Sequence, residues 1–135
     1  MTPQHRVASI AGALTLALTA TAQAATIRLI PLTPPAVGTS VNACTTPYAP
    51  AAVSNAVSPD LPAIAAGQHV TGITEVRIAL DARGRLAEHA VLTSSGNRWI
   101  DRAALQAARQ STYRSEIRDC ARVGGIYAFA VDFTQ

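Results

Sequence analysis

The chain has 135 residues, a length that allows one small domain. Eleven basic residues, all of them arginine, stand against eight acidic ones and give a net charge of +3. The arginines are dispersed and do not alternate with aromatic residues, so the composition gives no support to a nucleic-acid-binding protein.

Residues 1–24 have the pattern of a signal peptide. His5 and Arg6 precede an apolar run from Val7 to Ala20, and Ala22-Gln23-Ala24 matches a small-x-small cleavage site. The run is shorter than the roughly 20 apolar residues that a membrane span needs. We therefore expect export and cleavage of this segment. The alternative is that the segment is retained as a membrane anchor.

Residues 25–43 are predicted to be an extended lead-in, with room for one edge strand at Thr26–Ile30. A single domain is expected over residues 44–135. Pro50 suits the first turn of a short helix over Ala51–Ala56. A further helical turn is predicted at Ala63–Ala66, where Gly67 would end it.

The two cysteines, Cys44 and Cys120, both lie in the part expected to be exported. An even number of cysteines in an oxidising compartment favours a disulfide bond. Metal binding or a reactive thiol would be the alternatives, but no second Cys or His stands at ligand spacing from either residue.

A hairpin and a helix follow in the centre of the chain. Val76, Ile78 and Leu80 alternate with other residues as in a half-buried strand, and the chain returns through 86–93 after a turn at 81–84. A helix is predicted over 98–112, capped by Ser95 or Asn97. Its inner face would consist mainly of small residues: Ile100, Ala103, Ala104, Ala107, Ala108 and Ser111.

The remaining residues are predicted to form a loop, Tyr113–Gly125, and a last strand, Ile126–Phe133. The order strand, strand, helix, strand predicts an α+β fold. It would hold a small three-stranded antiparallel sheet (β-β-α-β) packed on helices.

Catalytic chemistry is not indicated. Ser94 and Ser95 lack the glycine that precedes a nucleophile elbow, and the carboxylates are dispersed. His69 and His89 can be explained as loop and strand surface residues, with a metal or acid–base pair as the alternative. We expect no enzyme activity, no cofactor and no metal.

An ordered set of motifs resembles the TonB C-terminal domain family over about Pro59–Phe133. It comprises Gly72, the turn Leu80-Asp81-x-x-Gly84, Ser94-Ser95-Gly96, Asp101-x-Ala103-Ala104-Leu105, and the alternating last strand. The resemblance assigns structural roles to eight residues: Gly72, Asp81, Gly84, Ser94, Ser95, Gly96, Asp101 and Ala104.

The resemblance implies a periplasmic domain of Gram-negative bacteria that binds protein. Partners would add a strand to an exposed sheet edge, and they would include the N-terminal segment of an outer-membrane receptor or another envelope protein. The implied partner-binding edge strand contains Ile126, Tyr127, Ala128, Phe129, Val131 and Phe133.

Two functions remain open at this point. The first is an adaptor associated with TonB-type outer-membrane transport. The second is a structural or envelope-maintenance protein that uses the same fold without energy transduction. Pairing of the edge strand in a dimer is also open.

Overall fold

The computed structural model of the chain describes residues 25–33 and 44–134. The predicted signal peptide, Met1–Ala24, and most of the predicted lead-in, 34–43, lie outside the described residues.

Eleven elements are present in the described part of the chain. The helices are α1, Ala63–Gly67, and α2, Arg98–Gln110. The strands are β1, Thr26–Pro31; β2, Tyr48–Ala49; β3, Ala52–Asn55; β4, Ile73–Leu80; β5, Leu86–Thr93; β6, Thr112–Arg114; β7, Glu116–Arg118; β8, Ala121–Val123; and β9, Gly125–Asp132.

The main sheet is antiparallel with the strand order β1-β9-β4-β5, and α2 contacts β4, β5 and β9. Two small sheets, β2-β7-β8 and β3-β6, complete the structure. The α+β class is therefore confirmed. The main sheet has four strands instead of the predicted three, because β1 forms at the site of the expected edge strand and joins it.

The core lies between the sheet and α2. The alternation predicted for β4 is present, with Val76, Ile78 and Leu80 buried. Phe129 and Val131 of β9 face the same side. The predicted small face of α2 is also buried: Ile100, Ala103, Ala104, Ala107, Ala108 and, just after the helix, Ser111. Small side chains let the helix backbone approach the sheet closely.

Two local predictions are wrong. The segment Ala51–Ala56 is not helical, since Ala52–Asn55 forms β3 and pairs with β6. Tyr113–Gly125 is not a plain loop, because it contains β6, β7 and β8. A six-residue helix is marginal by itself, whereas β3 gains the cross-strand contact between Val53 and the buried Tyr113.

The predicted disulfide between Cys44 and Cys120 is present, with the two Cα atoms 6.0 Å apart. Cys120 lies in the two-residue turn that joins β7 and β8. Asp119 and Cys120 both have positive φ angles, 51° and 67°, as a type I′ hairpin turn requires. The amide of Cys120 also donates to the carbonyl of Pro47 at 3.2 Å. The disulfide thus fixes Cys44 to the hairpin formed by β7 and β8.

Removal of this disulfide is expected to destabilise the fold strongly. The bond joins residues 76 positions apart, and constraining a loop of that size in the unfolded chain contributes about 4 kcal/mol on chain entropy alone. Denaturant unfolding of the double variant Cys44→Ala/Cys120→Ala should show a loss approaching that value. An unchanged midpoint would contradict this account.

The turn between β4 and β5 is built around Asp81 and Gly84. The carboxylate of Asp81 accepts from the amides of Arg83 and Arg85, each at 2.8 Å. The hydrogen bond from Arg85 is the main reason that the pKa of this carboxyl is lowered. Gly84 has φ +79°, and a Cβ there would lie 2.6 Å from the carbonyl oxygen of Tyr113. Only glycine fits this position.

Three glycine-to-alanine variants separate steric from conformational effects. Gly84→Ala should cost more than the 1–2 kcal/mol of a left-handed residue alone, because a backbone atom must also move. Gly96→Ala, at φ +81° in open space, should show only the conformational cost. Gly67→Ala, with neither constraint, serves as the control. Equal thermal unfolding of Gly84→Ala and Gly96→Ala would contradict the steric contribution.

Candidate partner-binding edge of the sheet

The predicted partner-binding strand is an inner strand in this structure. β9 pairs with β4 on one side and with β1 on the other. The expectation that Ile126–Phe133 forms an exposed edge is therefore corrected. The physical reason is that β1 adds six paired residues, from Thr26 opposite Asp132 to Pro31 opposite Tyr127. Phe133 lies just beyond β9, and its amide donates to the carbonyl of Gly72.

The hydrogen-bond phase of the β1–β9 ladder follows from one bond. The amide of Leu32 donates to the carbonyl of Ile126 at 3.0 Å, and these two residues continue the β1–β9 register. Because hydrogen-bonded and non-hydrogen-bonded pairs alternate in an antiparallel ladder, Ile30 and Arg28 also exchange backbone bonds with β9. Pro31 falls at a non-bonded position, where its missing N–H removes no bond to β9.

The two faces of β1 differ. Ile27 and Leu29 stand opposite Val131 and Phe129 and pack against the core. Arg28 and Ile30 stand opposite Ala130 and Ala128 on the outer face of the sheet. The guanidinium of Arg28 lies 3.9 Å from the carboxylate of Asp132, and since the Arg28 side chain is 65% exposed the ion pair contributes little.

The sheet has a second edge at β5. Val91 and Leu92 of this strand are 42% and 46% exposed. Register shifts interrupt its pairing with β4 at both ends, between Glu75 and Val76 and between Ala79 and Leu80. Irregular pairing of this kind makes an edge a poorer template for an added strand.

Asp101, in the first turn of α2, is a hydrogen-bond hub. Its Oδ1 accepts from the hydroxyl of Thr74 at 2.6 Å and from the amide and hydroxyl of Ser95, each at 2.9 Å. Its Oδ2 accepts from the hydroxyl of Ser94. Partial burial by itself raises the pKa of Asp101, but the bonds from Ser94, Thr74 and Ser95 outweigh it and lower the pKa to about 2. The network joins β4, the loop after β5, and α2.

The other motif residues also have structural roles. Asn97, one of the two predicted caps, accepts from the amide of Trp99 at 2.9 Å. Gly72 is packed so that a Cβ would lie 3.0 Å from the Cβ of Ser95. Ala104 is fully buried against the sheet. These residues position α2 and β9 and do not themselves form a reactive site.

A polar cluster near the end of β1 was not found by sequence reasoning. Glu116 is only 7% exposed; its carboxylate accepts from Arg118 at 2.8 Å and from the hydroxyl of Tyr127 at 3.3 Å. Burial, with the nearby Glu116 carboxylate, raises the pKa of Tyr127. The cluster borders a small cleft that also contacts Leu29 and Pro31 of β1. No local sequence pattern indicates that residues 116 and 127 meet.

Thr74 is a second residue that sequence reasoning missed. Thr74 occupies the buried phase of β4 two positions before Val76, and it is 0% exposed. A polar residue at a buried strand position needs a hydrogen-bond partner. That signal could have connected it to Asp101.

The two histidines show no metal site. His69 is exposed, with φ 50°, in the segment between α1 and β4, and His89 is exposed on β5 opposite Ile78. Within residues 25–33 and 44–134 no group of three His, Cys, Asp or Glu side chains is placed to hold a metal ion.

Comparison with known proteins agrees with the motif order. The family described as Gram-negative bacterial TonB protein C-terminal matches residues 57–134. The chain belongs to the TonB C-terminal family. It is also 37% identical over 70 residues to Protein TonB of Vibrio cholerae serotype O1, a match that covers 52% of this chain and 29% of that protein. No solved structure matched the chain.

Membership of the family supports a TonB-like protein-interaction module. In the part of the chain that the structure describes, no helix is long and apolar enough to cross a membrane. The match spans less than a third of the length of the V. cholerae protein.

Asp101→Asn should destabilise the domain by about 2 kcal/mol at neutral pH, since it weakens hydrogen bonds to a charged acceptor. The pKa of Asp101 is depressed in the fold, so its contribution is present above the unfolded pKa of about 4 and is lost as the pH falls towards 2. Urea unfolding at pH 7 and pH 2 should therefore show a smaller difference between the variant and the wild type at pH 2. Asp60→Asn, at an exposed carboxylate, is the control. A difference independent of pH would contradict the assignment.

Proposed function

We propose that this domain is a periplasmic protein-binding module, an adaptor in TonB-type outer-membrane transport, and that it takes up an extended segment of its partner by β-strand addition. The partner would be the N-terminal segment of an outer-membrane receptor or of another envelope protein. One observation carries the proposal. The side of β9 that faces away from β4 accepts an antiparallel strand over six residues, from Thr26 to Pro31, supplied by a distant segment of the chain.

The chemistry of this side of β9 suits strand addition. The backbone groups of alternate β9 residues provide affinity regardless of the incoming sequence, and the side-chain positions provide selectivity. Positions opposite Phe129 and Val131 take apolar residues, as Leu29 and Ile27 show. Positions opposite Ala128 and Ala130 lie on the outer face and tolerate long or charged side chains.

The polar residues of the described part support a binding role over catalysis. The carboxylates of Asp101 and Glu116 are both engaged in internal hydrogen bonds. Every buried side-chain nitrogen or oxygen in the described residues has a partner. A disulfide between Cys44 and Cys120 suits the oxidising periplasm.

A structural or envelope-maintenance role is the second candidate. It is favoured by the fact that β1 covers β9 in this structure, so that the side of β9 used for strand addition is already paired.

The first function is tested by titrating the ¹⁵N-labelled chain with synthetic peptides from the N-terminal segments of outer-membrane receptors. We expect shifts concentrated in β9 and β1, with β5 unaffected. A matched control peptide, with proline at alternate positions, cannot donate to the ladder and should not bind. Absence of shifts at millimolar peptide, both in the unaltered chain and in a variant whose β1 pairing is weakened by Ile30→Pro, would exclude receptor binding. Recovery of cell-wall proteins and no receptors from periplasm would then favour the second candidate.

A further inference from the structure

We propose that β1 is a displaceable guard strand: segment 25–33 pairs with the side of β9 at which a partner strand would add, and the partner must therefore repeat the apolar positions of β1 that pack against the core. This inference rests on the proposed function and specifies how the site is regulated and which strands it selects.

β1 depends on the rest of the fold more than the fold depends on β1. The fully buried core residues come from β4, α2, β6 and β9 and the residues that adjoin them. From β1, Ile27 and Leu29 pack against this core and remain only partly buried. Ile30 and Leu32 are 42% and 43% exposed. Release of β1 would uncover the margin of the core near Phe129 and Val131 while leaving its centre between β4 and α2.

β1 is also built to end the sheet. Its backbone groups at Ile27, Leu29 and Pro31 point away from β9, by the phase that the bond from Leu32 to Ile126 sets. Proline at position 31 removes one of these outward donors, as is typical of an edge strand. β9 lacks proline and glycine from Ile126 to Asp132. The better template for an added strand is therefore β9, on the side that β1 occupies.

When β1 separates from β9, it stays covalently linked to the rest of the domain. Residues 34–43 connect it to Cys44, which the disulfide fixes to Cys120 in the β7–β8 turn. A short tether gives a segment an effective concentration of the order of millimolar. A free strand with the same contacts must exceed that concentration to compete, and its apparent affinity falls in proportion to the fraction of molecules in which the site is open.

The selected pattern follows from the register. A competing strand needs apolar side chains opposite Val131 and Phe129, where Ile27 and Leu29 lie. Between them it needs a residue that suits the outer face beside the carboxylate of Asp132, where Arg28 lies. The sequence of β1 is therefore a partial template for the partner: apolar side chains are required at the positions of Ile27 and Leu29, whereas the positions of Arg28 and Ile30 tolerate long or charged side chains.

The test uses the whole chain and a fluorescent peptide with the sequence of residues 25–33, ATIRLIPLT. In the variant Ile30→Pro, β1 loses a donor that faces β9, and the peptide should bind roughly tenfold or more tightly than to the unaltered chain. Ile30→Ala is the matched control, because it keeps the donor and removes only an exposed side chain. A locked variant, Ile30→Cys with Ala128→Cys, should not bind the peptide, since paired residues in such a ladder are close enough for a disulfide.

Hydrogen exchange gives an internal control. In Ile30→Pro the β9 amides that face β1, those of Ala128 and Ala130, should exchange faster. The amides of Tyr127 and Phe129, which face β4 by the same alternation, should remain protected. Joint loss of protection in both sets would show that β1 is part of the cooperative fold and would overturn the proposal. Measurable binding of the peptide to the locked chain, or an affinity of Ile30→Pro no higher than that of the unaltered chain, would also overturn it.

The two proposals fail in different ways. Binding of the β1 peptide to Ile30→Pro without binding of any receptor peptide would remove the receptor assignment and leave the guard in place. Receptor peptides that bind the locked and unaltered chains equally would remove the guard and leave the binding function.

Discussion

The pairing of β9 with β4 is the constraint on which the rest of the structure depends. It aligns Phe129 with Val76 and Tyr127 with Ile78, and this register forms the layer on which α2 packs. On its other side β9 pairs with β1, which satisfies the backbone groups that would otherwise form an open edge. A shift of one residue would move every β9 side chain to the opposite face, so the register sets both the core and the binding surface.

The Asp101 network keeps this arrangement rigid. It ties β4 through Thr74 and the loop after β5 through Ser94 and Ser95 to the first turn of α2. A carboxylate at that position also complements the positive end of the helix. Ser94 and Ser95 of the Ser94-Ser95-Gly96 motif thus link the loop after β5 to α2 through Asp101. The residues of the network hold β4 and α2 together, and in the proposed binding mode the partner contacts β9 instead.

The pairing of β1 with β9 affects both the stability of the domain and its proposed function. An unpaired strand with apolar neighbours is prone to unwanted pairing, and β1 protects it within one chain. Under the proposed function, the same protection lowers the affinity for any partner strand. Selectivity follows, because only a strand that matches the positions of Ile27 and Leu29 replaces the contacts that β1 makes.

Much of the fold can be predicted from local sequence. The alternation of Val76, Ile78 and Leu80 identifies β4, and the turn at Asp81 and Gly84 identifies the hairpin. The disulfide partners could be named because the chain has only two cysteines. These features depend on residues that are close in sequence or on simple counting.

The sequence indicated an edge strand near residues 26–30, but only the tertiary structure decided that this strand pairs with β9 and makes β9 an inner strand. Segment 26–31 offers only a short apolar alternation ended by Pro31, and its partner lies at the far end of the chain. Likewise, Ala52–Asn55 is a strand only because Tyr113 and its neighbours pair with it. The sequence alone determined β4, β5 and α2, since the periodicity that identifies them acts over a few residues. Pairing between distant segments depends on backbone hydrogen bonds that carry little trace in side-chain pattern, so the position and the covering of the candidate site appeared only in three dimensions.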